Sequence, residues 1–512
     1  TEGPGWGTNV RQLTPDDGED VGHFDACYLG HPDQVIFCST AAYQGLPSEY
    51  GSKRMTCLFR LDRPTGRVRQ LTFEQDSDWC PVSLPNGRVM YERWEYCDLP
   101  HSNSRILFQM NPDGTAQMEY YGSGSYFMPS YFFARPIPGR FPQVVGIATG
   151  HHGTPRSGRV LVVDPRRGRR EAEGVVREIP GWGKTVLPEV RDRLADFYWP
   201  HFLHPYPLDE ATFSVAMKPT PDALWGIYLA DVYDNLTLLY QEEHCAILDP
   251  IPLVERPRPP VLPDRTTPGA TNATVFLADI YQGEGLAGVP RGAVKQLRVG
   301  TYYFGSHGTG GLLGSIGADG PWDIKRVLGT TPVEADGSAL FTVPANTPVF
   351  LQPLDDEGKA VQLMRSWMVG MPGEAVSCVG CHEDQNSIVP SRTTLAALRR
   401  PTPIRAEGPV RGFSFPHKIQ PILDRYCVGC HNGSDPPELP AIPGIVYPQD
   451  LSRDQDSGEG LVDRRGGQYI ADWRSGHGGN CGGGGRGGNF PISYVALERY
   501  VRRNGIEGPL HM

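Results

Sequence analysis

The feature that most constrains this chain is a pentapeptide that occurs twice. CVGCH spans Cys378–His382 and recurs at Cys427–His431, 49 residues further along the chain. In CxxCH the two thiols can add to the two vinyl groups of one haem, and the adjacent histidine is then held under the iron as an axial ligand. The sequence therefore predicts two covalently bound haem c groups, one held by Cys378, Cys381 and His382 and the other by Cys427, Cys430 and His431.

A single zinc site made from both CxxC pairs is the competing interpretation. Such sites usually separate the pairs by about 15–20 residues, whereas 45 residues lie between Cys381 and Cys427. A disulfide within each CVGC would leave both histidines unexplained. The spacing therefore favours haem, with His382 and His431 as iron ligands.

The sixth ligand of each iron separates electron transfer from catalysis. For the second haem we predict His511, which follows the last predicted helix, with His417, His477 and the terminal Met512 as alternatives. For the first haem the candidate distal ligands are residues of types that more often pack in cores than ligate iron. They are Tyr302, Tyr303, His307, Met364, Met368 and Met371. A five-coordinate iron at the first haem would leave an open position for a small molecule.

Composition and repeats indicate several mainly β domains. The 512 residues exceed one ordinary core, and the 62 glycines and 49 prolines favour turns and strands over long helices. VRQLT occurs at Val10–Thr14 and Val68–Thr72, and LFRLDRPTGRVR (Leu58–Arg69) aligns with LFQMNPDGTAQM (Leu107–Met118). Such recurrence is typical of β-propeller blades. We predict a β-propeller of undetermined blade number over residues 1–260, with a β-sandwich as the alternative.

Two further domains are predicted beyond the proline-rich linker Pro250–Gly269. Alternating segments such as Glu334–Asp355 predict a middle β domain, residues 261–405, that carries the first haem. Apolar residues at helical spacing in Phe415–Tyr426 and in Tyr494–Arg503 predict a C-terminal α-helical, cytochrome c-like domain, residues 406–512, with the second haem.

Charge and hydropathy exclude some functions and suggest a location. The formal net charge of −10 argues against a nucleic-acid binder, and RGRR at Arg167–Arg170 is predicted to be a solvated loop. No apolar run is long enough to predict a membrane span. Attachment of haem by thioether bonds implies an exported protein, periplasmic or extracellular, and the start TEGPGWGTNV is typical of a processed chain.

Seven cysteines remain outside the two motifs. An oxidising compartment permits disulfides among the six that precede the linker, whereas burial as small apolar residues is the alternative. These six are Cys27, Cys38, Cys57, Cys80, Cys97 and Cys245. Cys481, in a glycine-rich loop, is the first candidate for a free thiol.

Several longer segments resemble one family, that of the hydrazine synthase alpha subunit, over nearly the whole chain. They are STAAYQG (Ser39–Gly45), YERWEY (Tyr91–Tyr96), FFARPIPG (Phe132–Gly139), GHHGTPRSG (Gly150–Gly158), FLHPYPL (Phe202–Leu208), KPTPDALWGIYL (Lys218–Leu229), DGPWDIKRVLGT (Asp319–Thr330) and QLMRSW (Gln362–Trp367). The resemblance implies a propeller, a middle domain with one c-type haem and a C-terminal domain with a bis-histidine c-type haem. It also implies a larger complex with other cytochromes or redox subunits, and makes zinc or calcium a further candidate ion.

One position departs from the family pattern. In the hydrazine-forming member the motif histidine turns away to help bind zinc, and a tyrosine four residues later ligates the iron. This chain has Asn386 at that position. The resemblance therefore implies a divergent member that transfers electrons within a multi-subunit redox complex. The alternative is an oxidoreductase that acts on a small nitrogen or oxygen species at an open middle-domain haem.

Overall fold

Short alternating segments separated by glycine and proline turns form strands along most of the chain. The computed structural model describes residues 11–46, 52–74, 76–95, 105–122, 125–150, 156–191, 193–304, 324–383, 387, 392–404 and 415–429. Within those ranges there are 24 strands, two short α-helices and two single 3-10 turns, Leu194–Phe197 and Ala396–Leu398. The mainly β class predicted from the sequence is confirmed.

The first sixteen strands form four successive units of four strands each. They are β1 (His23–Tyr28), β2 (Gln34–Ser39), β3 (Cys57–Asp62) and β4 (Arg67–Gln70) in the first unit; β5 (Asp78–Ser83), β6 (Val89–Trp94), β7 (Arg105–Met110) and β8 (Met118–Tyr121) in the second; β9 (Ser130–Pro136), β10 (Val144–Thr149), β11 (Arg159–Val163) and β12 (Val175–Ile179) in the third; and β13 (His201–Pro207), β14 (Thr212–Lys218), β15 (Gly226–Asp231) and β16 (Leu236–Gln241) in the fourth. Within each unit every strand pairs antiparallel with the next. This up-and-down order is the one that propeller blades have.

The aligned repeats are the last two strands of the first two units. LFRLDRPTGRVR forms β3, a turn and β4, and LFQMNPDGTAQM contributes to β7, a turn and β8. Both turns place a glycine at positive φ, Gly66 at +67° and Gly114 at +85°, a conformation that glycine adopts without steric cost. The two copies of VRQLT differ in structure: residues 11–14 of the first copy form no strand, whereas the second copy contributes to β4.

Apolar side chains fill the space between successive units. Because side chains alternate between the two faces of a strand, Val144 packs toward the second unit while Val145 packs toward the fourth. The three clusters include Ile36, Leu58, Val89 and Phe108 between units one and two; Met90, Leu107, Tyr131 and Leu161 between units two and three; and Ile147, Val162, Phe202 and Phe213 between units three and four. The second and third units, which a parallel bridge between Arg105 and Ser130 joins into one eight-stranded sheet, are therefore covered on both faces.

Two further sheets form a sandwich. One has the order β23 (Ala375–Cys378), β17 (Asn272–Leu277), β20 (Ala339–Pro344), β24 (Thr402–Pro403), and the other has β19 (Ile324–Pro332), β18 (Gln296–Tyr303), β21 (Pro348–Leu354), β22 (Met368–Val369). Strand β23 runs parallel to β17, and β24 runs parallel to β20. Buried residues from both sheets, among them Val275, Phe341, Val299 and Val349, make one shared core.

Residues 242–271, all described, contain neither strand nor helix, and residues 259–264 lie along the first two units. The Arg60 guanidinium donates to both carboxylate oxygens of Asp264, at 2.6 and 2.8 Å. A side chain at Gly87 would meet the Pro260 carbonyl oxygen at 2.5 Å. The proline-rich segment is therefore held against the sheets rather than extended away from them.

A buried polar contact docks the sandwich onto the four units. The Arg93 guanidinium lies over the Trp367 ring, 4.1 Å from its centroid, and donates to the Trp367 carbonyl oxygen at 3.2 Å. Ser366 donates to Glu95 at 2.6 Å, and the Trp367 indole donates to Glu74. Two of the family segments, YERWEY and QLMRSW, therefore meet in this contact.

The described part of the C-terminal region holds two short helices, α1 (Phe415–Lys418) and α2 (Gln420–Tyr426). The predicted helix at 494–503 and most of the predicted cytochrome c-like domain lie outside the described residues. None of the described helices has the length and apolar character needed to cross a bilayer.

Every cysteine of the described ranges carries a free thiol. Cys38 and Cys57 are fully buried in the sheets, and burial raises the pKa of both thiols. The interpretation as small buried residues therefore fits these two. Cys97 and Cys481 lie outside the described residues.

Candidate haem c site

The first CVGCH follows directly from the parallel pair of strands in the sandwich. Cys378 is the last residue of β23 and lies opposite Leu277 of β17. The ladder continues beyond both strands, because Ala278 N–H donates to the Cys378 carbonyl at 2.9 Å and Asp279 N–H to that of Val379 at 3.0 Å. The motif therefore begins at the end of β23, and backbone hydrogen bonds from the residues that follow β17 hold its first residues in place.

The loop after β17 continues around the motif. Gly285 N–H donates to the Cys381 carbonyl at 3.1 Å, and Glu284 N–H donates to the His382 carbonyl at 3.3 Å. A side chain at Gly380 would lie 2.2 Å from the Gln282 carbonyl oxygen. Residues 278–285, which we call the cradle loop, thus approach the motif backbone so closely that Gly380 is required.

The two thiols of the first motif are free and half-buried. Both pack at the rim of the sandwich core. Burial, with a smaller contribution from the Glu383 carboxylate, raises the pKa of Cys378 to about 12, and burial also raises the pKa of Cys381. Both groups are protonated at neutral pH, the state in which S–H adds across a vinyl group. The pair fits covalent haem attachment in its spacing, burial and oxidation state.

His382 has a left-handed backbone, with φ of +53°, and is half-buried. Its Nδ1 lies 3.2 Å from a terminal nitrogen of the Arg170 guanidinium. A second nitrogen of the same guanidinium contacts the Glu284 carboxylate at 2.5 Å. Arg170 comes from the turn between β11 and β12, so two distant parts of the chain meet at the motif histidine.

Sequence reasoning missed Arg170. RGRR was expected to be a solvated loop, and Arg167 is indeed exposed, but Arg170 is only partly exposed and contacts the motif. No local pattern could have identified it, because its partner lies 212 residues away in the sequence.

The second motif is described only at its start. Helix α2 ends at Tyr426, and Leu423 packs against Ile419, Cys427 and Val428. Of the predicted apolar stripe, Ile422 and Tyr426 are exposed, at 53% and 70%. Cys430, His431 and His511 lie outside the described residues, as do His477 and Met512, while His417 is an exposed residue of α1.

The candidate distal ligands of the first haem that the structure describes are packing residues. The Tyr302 ring contacts Phe350 and Trp367, with centroids 5.1 and 5.9 Å apart. Met371 is buried in the same cluster, and Met364 packs against it, whereas Met368 joins the sandwich core. The Tyr303 side chain, His307 and Asn386 lie outside the described residues.

No group of three or more histidine, cysteine, aspartate or glutamate side chains in the described ranges has the arrangement of a metal site. Zinc and calcium therefore remain candidate ions that rest on the sequence resemblance.

Comparison with known proteins shows that the chain is similar to one family. Residues 292–383 match the family described as hydrazine synthase alpha subunit middle domain, a range that contains β18–β23 and the first CVGCH. Hydrazine synthase subunit alpha of Kuenenia stuttgartiensis is 24% identical in a match that covers 32% of this chain and 28% of that protein.

The solved structure of Kuenenia stuttgartiensis hydrazine synthase shares the fold. It matches with a TM-score of 0.60 at 15% identity, covering 83% of this chain and 66% of that chain. The chain thus matches just under two thirds of the solved relative and less than a third of the curated one. The resemblance to the hydrazine synthase alpha subunit family is confirmed.

Proposed function

We propose that this relative of the hydrazine synthase alpha subunit is an exported c-type cytochrome with two covalently bound haem groups. It passes electrons within a multi-subunit redox complex. The curated relative is named as a subunit, which supports a complex, and we infer that its other members are cytochromes or redox subunits. The net charge of −10 speaks against nucleic acid as a partner.

The observation that carries this proposal is the pair of free, half-buried thiols at the end of β23. They lie inside the range that matches the family's middle domain. A haem bound there would supply one-electron redox chemistry. Cys378 and Cys381 would hold it and His382 would ligate its iron, while the cradle loop fixes the turn between them.

The domain arrangement belongs to the same proposal. The four sheet units would form the propeller of residues 1–260, the sandwich the middle domain of residues 261–405, and α1 and α2 the start of a cytochrome c-like domain of residues 406–512. The strand order of the units and the shared core of the sandwich support this division. The propeller offers a docking surface for partner subunits, as propellers commonly do.

A second haem would be held by Cys427, Cys430 and His431, with His511 as a further ligand, and it would supply the second redox centre of the electron path. The exposed side chains of Ile422 and Tyr426 beside Cys427 support it, because a porphyrin is a large apolar surface that such side chains would cover. Covalent attachment of both haems supports export to the periplasm or beyond.

A second candidate function is oxidation or reduction of a small nitrogen or oxygen species at the first haem. One observation favours it: among the described candidate ligands, Tyr302, Met364 and Met371 pack around Trp367, and Met368 alone packs in the cluster that contains Cys378 and Cys381. An iron that Met368 leaves unligated would be open to an added ligand.

Low-temperature electron paramagnetic resonance of the oxidised protein, with and without cyanide or nitric oxide, distinguishes the two functions. Two low-spin ferric signals that do not change when the ligand is added support electron transfer. One high-spin signal that shifts on ligand addition supports the oxidoreductase. A protein without any ferric haem signal after expression with haem attachment machinery refutes both.

The attachment residues are tested by haem content. Cys378→Ser combined with Cys381→Ser should lower covalent haem per chain by about half, because one of two CxxCH motifs is lost. Cys245→Ser is the matched control, since Cys245 is free and exposed and should leave haem content unchanged. An unchanged content in the double variant would refute attachment at the first motif.

A further inference from the structure

A cleft of about 450 Å³ lies between the third and fourth sheet units. Its walls are the turn between β11 and β12, strand β12, residues 181–186 and the turn between β15 and β16. No residue of the first CVGCH lines it. The volume falls in the range of about 300–1,000 Å³ that is typical of small-molecule sites.

Hydrogen bonds across the cleft hold its walls together. The Asp234 carboxylate, from the fourth unit, accepts the backbone N–H groups of Gly181 and Trp182 at 2.9 and 2.7 Å. The Arg177 guanidinium, from the third unit, donates to the Val232 carbonyl at 2.5 Å. The cleft is therefore formed by the packing of the two units, before any ligand is bound.

Three exposed cationic side chains line the cleft. They are Arg167, the first residue of RGRR, Arg177 of β12 and Lys184 of the segment that follows β12. Arg167 donates to the Val175 carbonyl at 3.4 Å. None of the three cations forms an ion pair with a carboxylate in the part of the chain that the structure describes. Their charges are therefore available to a ligand.

The two carboxylates of the lining are engaged within the protein. Glu178 accepts two hydrogen bonds from the Arg159 guanidinium, at 2.6 and 2.5 Å, and Asp234 accepts the two backbone N–H groups described above. With Arg159 included, four cations face two carboxylates. A cleft concentrates the field of such an excess and attracts counter-ions, although the chain as a whole has a formal net charge of −10.

Apolar side chains form another part of the lining. Val186, Ala172 and Val175 belong to the cluster between the second and third units, and Val176 and Val232 to the cluster between the third and fourth. A ligand with an apolar body would remove these side chains from water.

We propose that this cleft binds an organic anion that carries at least two carboxylate or phosphate groups on an apolar body. Arginine matches the planar geometry of carboxylate and phosphate through paired N–H donors, and lysine acts as a point charge. The site requires no haem, and it therefore goes beyond the proposed function.

Isothermal titration calorimetry of the full chain tests the site, with trimesate, a benzene ring that carries three carboxylates, as the probe. All titrations are made at constant ionic strength. The test variant combines Arg167→Gln with Lys184→Gln. Arg140→Gln is the matched control, because Arg140 is an exposed arginine of the third unit that does not line the cleft. Scanning calorimetry confirms that each variant is folded.

Trimesate should bind wild type at one site per chain, and benzoate, with one carboxylate, should bind more weakly. The double variant should bind trimesate about ten-fold more weakly or less, because hydrogen bonds to charged groups are lost. Arg140→Gln should bind like wild type. Added salt should weaken binding, since these charges are exposed to solvent.

Three results overturn the inference. If wild type does not bind trimesate, or if the folded double variant binds it as wild type does, the cleft is not the site. If benzoate binds as tightly as trimesate, the requirement for several acidic groups is wrong. If a hexaglutamate peptide binds and trimesate does not, the cleft recognises an acidic protein segment instead of a small molecule.

Discussion

Replacing Arg93 by methionine tests the buried contact that docks the sandwich. The side chain is 2% exposed and lies 3.0 Å from the Glu95 carboxylate and 3.8 Å from that of Glu74. Its guanidinium also lies between the rings of Trp367 and Phe108, 4.1 and 4.5 Å from their centroids. Methionine fills much of the same volume but leaves two fully buried carboxylates without this cation.

Breaking a buried pair by removing one partner costs about 3–5 kcal/mol, because the remaining charge stays in a low-dielectric site. With about 2–4 °C per kcal/mol for a unit of this size, the unfolding temperature should fall by about 10 °C. Differential scanning calorimetry measures the unfolding temperature. Each transition is followed separately, because a chain of several units does not have to unfold in one step.

The loss should also depend on pH. Burial raises the pKa of Glu74, and a carboxyl whose pKa is raised in the folded state costs stability that grows as the pH rises above its unfolded value near about 4. Without Arg93 this penalty is larger, so lowering the pH from about 7 to about 5 should recover part of the lost stability.

Arg140→Met is the control. Arg140 pairs with Glu210 at 2.7 Å, but both side chains are more than half exposed, at 56% and 53%. This change should therefore cost less than about 1 kcal/mol. If Arg93→Met and Arg140→Met lower the unfolding temperature equally, the argument from buried charge is refuted.

Two further predictions concern the first motif and the third unit. Gly380→Ala should lower haem attachment at the first CVGCH and destabilise its turn by about 1–3 kcal/mol, because the new methyl group would meet Gln282 O at 2.2 Å. The equivalent Gly429→Ala has no atom of the described residues within 4 Å of the new methyl group and should not affect the second motif. Peptide mass spectrometry compares haem attachment in the two variants. The hydrogen bond from Arg166 lowers the pKa of Asp164 to about 2. A carboxyl whose pKa is lower in the folded than in the unfolded protein stabilises the fold when the pH is above the unfolded-state pKa of about 4. This stabilisation is lost as the pH falls toward about 2. Asp164→Asn should therefore be less stable than wild type near neutral pH, and the difference in urea midpoint should narrow as the pH falls below about 4; a constant difference would contradict this assignment.

The repeated strand pattern could be predicted from sequence because it is local. LFRLDRPTGRVR and LFQMNPDGTAQM contain both strands and the turn that joins them, and the structure forms them as expected. The pentapeptide VRQLT shows the limit. The second copy pairs with β3, with Gln70 opposite Phe59, whereas the described residues of the first copy form no strand. A strand forms only where a neighbouring strand can pair with it through backbone hydrogen bonds. A five-residue pattern carries no information about that neighbouring strand.

The contacts between family segments could not be predicted at all. YERWEY meets QLMRSW through Arg93 and Trp367, and FFARPIPG meets FLHPYPL through the rings of Phe133 and His204, 4.2 Å apart. No residue pattern within one of these segments identifies the segment that it contacts. Their pairing follows from how the sheets pack, which local propensity does not encode. The motif cysteines were identified from sequence, but the cradle loop and Arg170 that surround them were not.

The parallel pairing of β17 with β23 bears on the order of events during maturation. Leu277 and Cys378 are adjacent in space although about a hundred residues separate them in the chain, and pairings of such high contact order form late in folding. Before β17 and the cradle loop close on the motif, both thiols are fully accessible, and after closure they are half-buried. The proposed haem would therefore reach both sulfur atoms most easily before this closure. A variant whose sandwich closes faster than attachment proceeds should carry less haem at the first motif.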